Sequence, residues 1–513
     1  IFAVDIALYE HWGFRIDATV LIYLTDPEEA MASVDFWLGV RQTLLAAVYA
    51  AGMIWVYRRI LGVFDGRPVG WRVALPGSVA VVMLAGFDFL AIRGGTGASV
   101  ANVSKVYFSP TQFLNHAATN PVFSFLSSLG DRVDYADEYP FFEEPVRAAK
   151  FDALRGNGPA AGPTEPVLNT ARPNVVIVIL ESFARTVMDA EVGGEPVMPY
   201  MQRLKREGVW FENFFANSFR TDRGEVAILS GFPAQTRMSV MKLPAKSRSL
   251  PSVARSLAGE GYATSFAYGG DLNFTNQASY MYATGWQELV WQKDLRFDAP
   301  AADWGYDDAL MCDWFADRVI ALSDAGKPFL AGLLTLSSHT PFDVPYSKFD
   351  DKVLNAMAFS DECVGKMIDR LKASPAWKDL LVVLVADHGY PYPRTLTYNE
   401  PLRHRIPMIW TGGAVAEPRV VEDYAAQIDI AATLLAQLGI AHDDFDYSKD
   451  IFAPTPPRKF AYYTFNDGFG VVDASGEAVW DATGDRVVTA TNPELLDVGR
   501  TMLQTTYVDI GNR

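Results

Sequence analysis

Residues 174–183 read NVVIVILESF, and residues 381–390 read LVVLVADHGY. In both, an apolar, β-branched run ends directly in side chains that carry chemistry: Glu181 in the first, Asp387 and His388 in the second. Runs of this length and composition predict buried strands. In an open parallel sheet, ligands sit beyond the carboxyl ends of the strands, so the two tips can converge on one site. Two carboxylates and an imidazole make a ligand set for a divalent metal. Taken singly, each tip also fits a plain structural role, since a Glu after a strand is commonly a surface or helix-start residue. The combination carries the argument.

Outward from these strands, residues 173 to about 440 alternate β-branched runs with helix-like segments such as PYMQRLKREG, LPSVARSLAGEGY and QIDIAATLLAQLGI. That alternation predicts an α/β domain around a central, mostly parallel sheet flanked by helices on both faces, spanning residues 171–458. After Lys459, FAYYTFNDGFGVVDASGEAVWDA reads as short strands with Gly turns and NPELLDVGRTMLQTTYVDI as a closing helix capped by Asn492. Residues 459–513 are thus expected to form a small C-terminal β/α subdomain. Residues 94–170 hold short helical patches and end in the Gly- and Pro-rich GNGPAAGPTEPVLNTARP, a connecting arm.

Residues 1–93 have a different character. From Trp37 to Tyr57 the only charge is Arg41, near one end; Val73 to Ile92 is a second apolar run, with Pro76 early and Asp88 late. Each has the roughly 20 residues needed to span a bilayer core and is read as a transmembrane helix. Arg58, Arg59, Arg67 and Arg72 lie between them, whereas Asp26, Glu28 and Glu29 precede the first. The positive-inside rule places the Arg loop in the cytoplasm and everything after Arg93 outside it. The chain starts at Ile1 without a signal-peptide pattern, so further membrane helices are expected upstream. With 44 Lys and Arg against 61 Asp and Glu, the net charge of −17 argues against nucleic acid as a partner. Two cysteines, Cys312 and Cys363, exclude a disulfide scaffold but leave one disulfide open.

A third motif, NSFRTDRGEVAILSGFP (217–233), puts Thr221 after a polar turn and close to the start of an apolar helix. The amides and dipole of a helix N-terminus favour an anion or a developing alkoxide. A free Thr hydroxyl is a poor nucleophile, but metal coordination would activate it. The plainer reading is that Thr221 caps the helix.

The order Glu181, Thr221, Asp387-His388 resembles the alkaline phosphatase and sulfatase superfamily, and more closely its lipoteichoic acid synthase group of membrane-anchored phosphoglycerol transferases. The likeness extends over membrane helices, linker, LESF, the Thr turn, LSSHTPF (336–342), ADHG and the QIDIAATLLAQLGI helix. It implies an alkaline phosphatase-like fold. It also implies one divalent ion, Mn²⁺ with Mg²⁺ or Zn²⁺ as alternatives, on Glu181, Thr221, Asp387 and His388. Thr221 becomes the covalently modified nucleophile and His339 a substrate contact, with Arg223 assigned to the substrate side as well.

The implied activity is extracytoplasmic transfer of a phosphoglycerol-type head group from a membrane phospholipid to a glycan or lipid acceptor, in the bacterial cell membrane. A phosphoethanolamine transferase, a phosphodiesterase or sulfatase-like hydrolase, and a membrane-bound sensor are the alternatives. Sulfatase chemistry itself is disfavoured, because Thr221 is followed by Asp-Arg-Gly rather than lying in a C/S-x-P-x-R context. One departure concerns the head group: the family's glycerol-phosphate polymerases carry a Trp and an Arg where this chain has DLNFTNQ (271–277). Asp271, Asn273 and Asn276 would line that pocket instead, offering a carboxylate to an ammonium or amides to a hydroxyl.

Overall fold

The computed structural model describes residues 1–12, 15–16, 20, 36–62, 70–97, 100–131, 135–155, 164–299, 301–302, 304–453, 458–466 and 468–513. It divides into two compact units, Ile1–Val133 and Asp134–Arg513.

In the first unit, helix α1 (Phe36–Leu61) and helix α2 (Trp71–Arg93) each contain a segment long and apolar enough to cross a membrane. Their large side chains are exposed, among them Leu44, Val48 and Trp55 on α1 and Val82, Phe87 and Ile92 on α2. A helix apolar on all sides needs protein or lipid around it, and no residue of α2 is buried. Arg58 and Arg59 close α1 and Arg72 opens α2. Arg67, Asp26, Glu28 and Glu29, which the orientation argument also uses, lie outside the described residues.

The second unit is built on an eight-stranded sheet. In chain order its strands are β1 (Asn174–Leu180), β2 (Val209–Phe215), β3 (Ala263–Tyr268), β4 (Glu288–Trp291), β5 (Phe329–Leu334), β6 (Leu380–Ala386), β7 (Met408–Thr411) and β8 (Arg419–Ala426). Their spatial order is β8-β2-β7-β6-β1-β5-β3-β4. Every neighbouring pair is parallel except the two made by β7, which runs antiparallel to both β2 and β6. The central strands β1, β5 and β6 are buried along almost their whole length, which explains their unbroken apolar composition. Register does the rest: Leu180 pairs with Ala386, so Glu181 and Asp387 leave the sheet side by side at its carboxyl edge.

The C-terminal segment forms an antiparallel four-stranded sheet from residues 461 to 490 and a closing helix, α5 (Glu494–Asn512). Asn492 Oδ1 accepts the Glu494 amide at 3.1 Å, the start signal read from the sequence. The last part of the connecting arm folds onto this helix. Helix α3 (Glu144–Arg155) sends Arg147 to the Thr505 hydroxyl at 2.9 Å and Lys150 to Asp497 at 2.8 Å. Cys312 and Cys363 are buried free thiols in the structure, not a disulfide.

Candidate active site

Glu181 is 3% exposed and Asp387 fully buried. The Oε1 of Glu181 accepts the Ser182 hydroxyl at 2.6 Å. Asp387 Oδ1 accepts two backbone amides, those of Ser182 and His388, both at 2.7 Å. His388 Nε2 stands 3.7 Å from Glu181 Oε1 and 3.5 Å from Asp387 Oδ2. One ligand atom from each of the three residues lies within 4.8 Å of the others. Ser182 reaches both carboxylates by adopting a left-handed backbone (φ 59°), a conformation that costs a β-region residue on the order of 1 kcal/mol and collects at functional sites.

Thr221 is the first residue of helix α4 (Thr221–Ser230), not its cap; that position belongs to Arg220, and the helix has no side-chain cap bond. Instead the Thr221 hydroxyl donates to Glu181 Oε2 at 3.2 Å, across forty residues of sequence. The plainer capping reading is therefore not what this side chain does. Helix α4 can approach because residue 224 is glycine: a Cβ there would lie 2.2 Å from the Asp387 carbonyl oxygen. That same carbonyl accepts Gln427 Nε2 at 2.7 Å, and Gln427 Oε1 in turn accepts the Asn217 amide at 2.8 Å, tying the two site loops together.

The electrostatics call for a positive charge. Burial, and then the neighbouring Asp387, push the Glu181 carboxyl well above its usual range. Burial holds His388 below its ordinary value and so keeps it neutral, while its Nδ1 faces the Gly389 carbonyl and leaves the Nε2 lone pair toward the carboxylates. Asp387 Oδ2 is buried with no hydrogen-bond donor among the described residues. Two buried carboxylates, one orphaned oxygen and a neutral imidazole fit a divalent cation.

The other candidate residues fall into two groups. His339 is half-buried; its ring lies 4.7 Å from that of Trp304, which meets Phe274 at 5.5 Å. This aromatic chain joins His339 to the 271–277 loop. Asp271 and Asn273 are engaged with each other, Asp271 Oδ1 accepting the Asn273 amide and side chain at 2.9 and 2.7 Å. Asn276 donates to the Lys242 carbonyl at 3.3 Å and keeps a buried, unpaired Oδ1. Arg223 is buried on α4 and lines a basic cavity with Arg220, Asp222, Arg237, Lys242 and Asn466. Nothing in the local sequence marks Ser182, Gly224, Gln427 or Trp304 as site residues.

His404 supports the sheet edge rather than the site. It is fully buried, stacks on Tyr463 at 4.0 Å, and its Nε2–H donates to the Tyr398 carbonyl at 2.8 Å. Burial pulls it from 6.5 down to about 3. The unfolded chain then takes up a proton that the folded one refuses, so stability is lost as pH falls from the unfolded value toward the folded one. Between pH 7 and pH 5 this residue alone should cost about 2 kcal/mol. Urea unfolding at the two pH values, wild type against His404→Phe, should show that difference in wild type only; equal pH slopes would contradict it.

Residues 173–440, just over half of the chain, match the model of the Sulfatase family. The chain belongs to that family. Phosphoglycerol transferase I of Xanthomonas axonopodis pv. citri is 26% identical over 315 residues, covering 56% of this chain and 43% of that protein. Lipoteichoic acid synthase 2 of Bacillus subtilis is 24% identical over 307 residues, covering 53% and 46%. The chain thus spans less than half the length of these curated relatives. Among solved structures, a protein of the alkaline phosphatase superfamily from Vibrio parahaemolyticus superposes with a TM-score of 0.64 at 23% identity, over 74% of this chain and 98% of that one. The α/β fold with its mostly parallel sheet is the alkaline phosphatase-like fold expected from the sequence.

Proposed function

We propose that this Sulfatase-family chain is a membrane-anchored, metal-dependent enzyme. It moves a phosphoglycerol head group from a phospholipid to a glycan or lipid hydroxyl outside the cytoplasm, through a covalent intermediate on Thr221. One observation carries the reading: the Thr221 hydroxyl turns from its own helix to Glu181, beside Asp387 and His388, at the carboxyl edge of the sheet. The names of the relatives, phosphoglycerol transferase and lipoteichoic acid synthase, support the group transferred. Helices α1 and α2 support the anchoring. The arginines at their facing ends support an outward catalytic unit.

Glu181, Thr221, Asp387 and His388 would hold the divalent ion, and the oxygen-rich set suits Mn²⁺, with Mg²⁺ or Zn²⁺ as alternatives. Such an ion supplies positive charge that lowers the pKa of the Thr221 hydroxyl and offsets charge on the phosphoryl oxygens. In the first half-reaction Thr221 Oγ bonds to phosphorus in line as the bond to the diacylglycerol oxygen breaks. The Thr221 proton passes to Glu181 Oε2, its hydrogen-bond acceptor, and is returned to the leaving oxygen, so that diacylglycerol departs as the neutral alcohol. In the second half an acceptor hydroxyl oxygen bonds to phosphorus as the bond to Thr221 Oγ breaks, and the acceptor's proton passes to Thr221 Oγ, restoring the hydroxyl. His339 would hold the phosphoryl group, and Asp271, Asn273 and Asn276 the head group.

Two tests follow from these assignments. Asp387→Asn removes charge at the buried oxygen and is expected to lower bound metal, measured by elemental analysis, by about tenfold or more; unchanged occupancy would contradict the ligand set. Asp271→Ala releases Asn273, which the Asp271 carboxylate holds, and is expected to lower kcat/KM for phosphatidylglycerol about tenfold through loss of that amide's hydroxyl contact. A variant that uses phosphatidylglycerol and phosphatidylethanolamine as the wild type does would remove Asp271 from the pocket.

A further inference from the structure

Between Gly94 and Gly130 the chain carries one Lys, Arg, Asp or Glu, the exposed Lys105. One residue in five is charged over the whole sequence, so a solvated arm of this length would hold about seven. The structure turns the segment inside out. Ser104, Ser109, Asn115, His116 and Thr119 are buried, whereas Val100, Phe108, Phe113, Leu114, Leu126 and Leu129 are exposed, Phe113 by 62% and Phe108 by 57%. Six exposed large apolar side chains in residues 100–129 compare with eight in the whole of Asp134–Arg513, among the described residues. A water-soluble surface does not concentrate them in this way.

The buried polar groups satisfy one another. Asn115 Oδ1 accepts the Phe108 and Ser109 amides at 2.9 and 3.0 Å, and its Nδ2 donates to the Ser109 carbonyl at 2.6 Å. The Thr119 hydroxyl donates to the Asn115 carbonyl at 2.9 Å. His116 Nδ1 meets the Tyr9 hydroxyl at 3.0 Å, and the His116 carbonyl accepts Arg15 Nε at 2.6 Å. Polar atoms closed off inside and apolar side chains turned outward are what contact with hydrocarbon demands.

The depth of the segment is set by α2. Gly94 turns left-handed at the end of that helix (φ 89°), and Arg93 Nη1 donates to the Gly95 and Gly97 carbonyls at 2.7 and 3.0 Å. The Ala101 amide then returns to the Arg93 carbonyl at 2.7 Å. Residues 100–129 therefore begin level with the end of a helix that is long and apolar enough to cross a membrane and has no buried residue. At that level a bilayer offers its boundary between head groups and acyl chains, where Phe and Leu insert and a lone cation meets phosphate.

We infer that residues 100–129 lie in the lipid interface of the outer leaflet, with Phe108, Phe113, Leu114 and Leu126 inserted at the acyl boundary. The occupant of this face is phospholipid. The inference rests on reading α1 and α2 as membrane-spanning and is independent of the chemistry at Thr221.

The test is spin labelling of the full-length chain reconstituted in vesicles of phosphatidylcholine and phosphatidylglycerol. Cys312 and Cys363 are buried, so a label goes to an introduced thiol. Phe113→Cys and Leu126→Cys probe the segment, Val82→Cys on α2 is the lipid reference, and Val420→Cys on the exposed edge of β8 is the water reference. Collision with oxygen, which partitions into lipid, is compared with collision with a chelated nickel complex, which stays in water. The oxygen-to-nickel ratio at both segment positions is expected to lie several-fold above that at Val420 and on the side of Val82. Nickel access at either position would show a solvated arm, and exclusion of both reagents would show a cover of protein, from this chain or a second copy; each result overturns the inference. Nickel access at Val82 would overturn the membrane-spanning reading and this inference with it, whereas lipid at Val82 and water at Phe113 would remove the interfacial segment alone.

Discussion

Thr221→Ala is expected to reduce turnover by a factor on the order of 10⁴ or more while leaving the fold in place. The hydroxyl is the proposed nucleophile, and nothing else at that position can form the covalent bond to phosphorus. The structural cost is small by comparison. Thr221 is half-buried, serves no capping role, and its one hydrogen bond, to Glu181, is long at 3.2 Å. Losing it costs about 1 kcal/mol, and alanine's better helix propensity returns part of that. An unchanged melting temperature with no activity is therefore the expected pair of readings. Even a tenth of wild-type activity would take Thr221 out of the role.

Gly224→Ala should be nearly as damaging, for a different reason. On helix propensity alone alanine would stabilise α4 by about 1 kcal/mol. Against that, the new Cβ would sit 2.2 Å from the Asp387 carbonyl oxygen, 2.9 Å from its carbon and 3.1 Å from its Cα, all backbone atoms of a site residue. Overpacking against atoms that cannot rotate away costs about 1–3 kcal/mol, so the clash outweighs the propensity gain. The relief available is to move either Thr221 or Asp387, and a displacement of about 1 Å at reacting groups costs roughly 100-fold in rate. A lower unfolding midpoint together with loss of metal and activity is expected. A Gly224→Ala protein that is more stable and fully active would show that α4 does not rest on Asp387.

The sequence is informative where chemistry and local pattern coincide. Strands β1 and β6 are unbroken apolar runs, and the residues that follow them, Glu181 and Asp387-His388, emerge at one edge because parallel register leaves them no other place. Asn492 declares the start of α5 for the same local reason. What the sequence did not reveal depends on contacts between distant segments. The antiparallel insertion of β7 between β2 and β6 has no composition that sets it apart. Gly224 looks like a weak spot in a helix until Asp387 is seen against it, and Gln427 looks like any helix-start glutamine until its amide is found on the Ala386 and Asp387 carbonyls. The 271–277 loop lacks a tryptophan of its own, yet Trp304 arrives from another segment to pack between Phe274 and His339. The basic cavity is likewise assembled from parts separated by more than two hundred residues, Arg220 to Asn466, which no window of sequence contains.

The proposal stands or falls on what becomes attached to Thr221. The most direct measurement is mass spectrometry of the full-length, metal-loaded protein after brief exposure to phosphatidylglycerol without acceptor, followed by peptide mapping of residues around position 221. The account predicts a mass increase of one glycerophosphoryl group, located on Thr221, absent in Thr221→Ala and discharged when an acceptor hydroxyl is added. An unmodified Thr221 under conditions where diacylglycerol is released, or the same group found on a different residue, would contradict it.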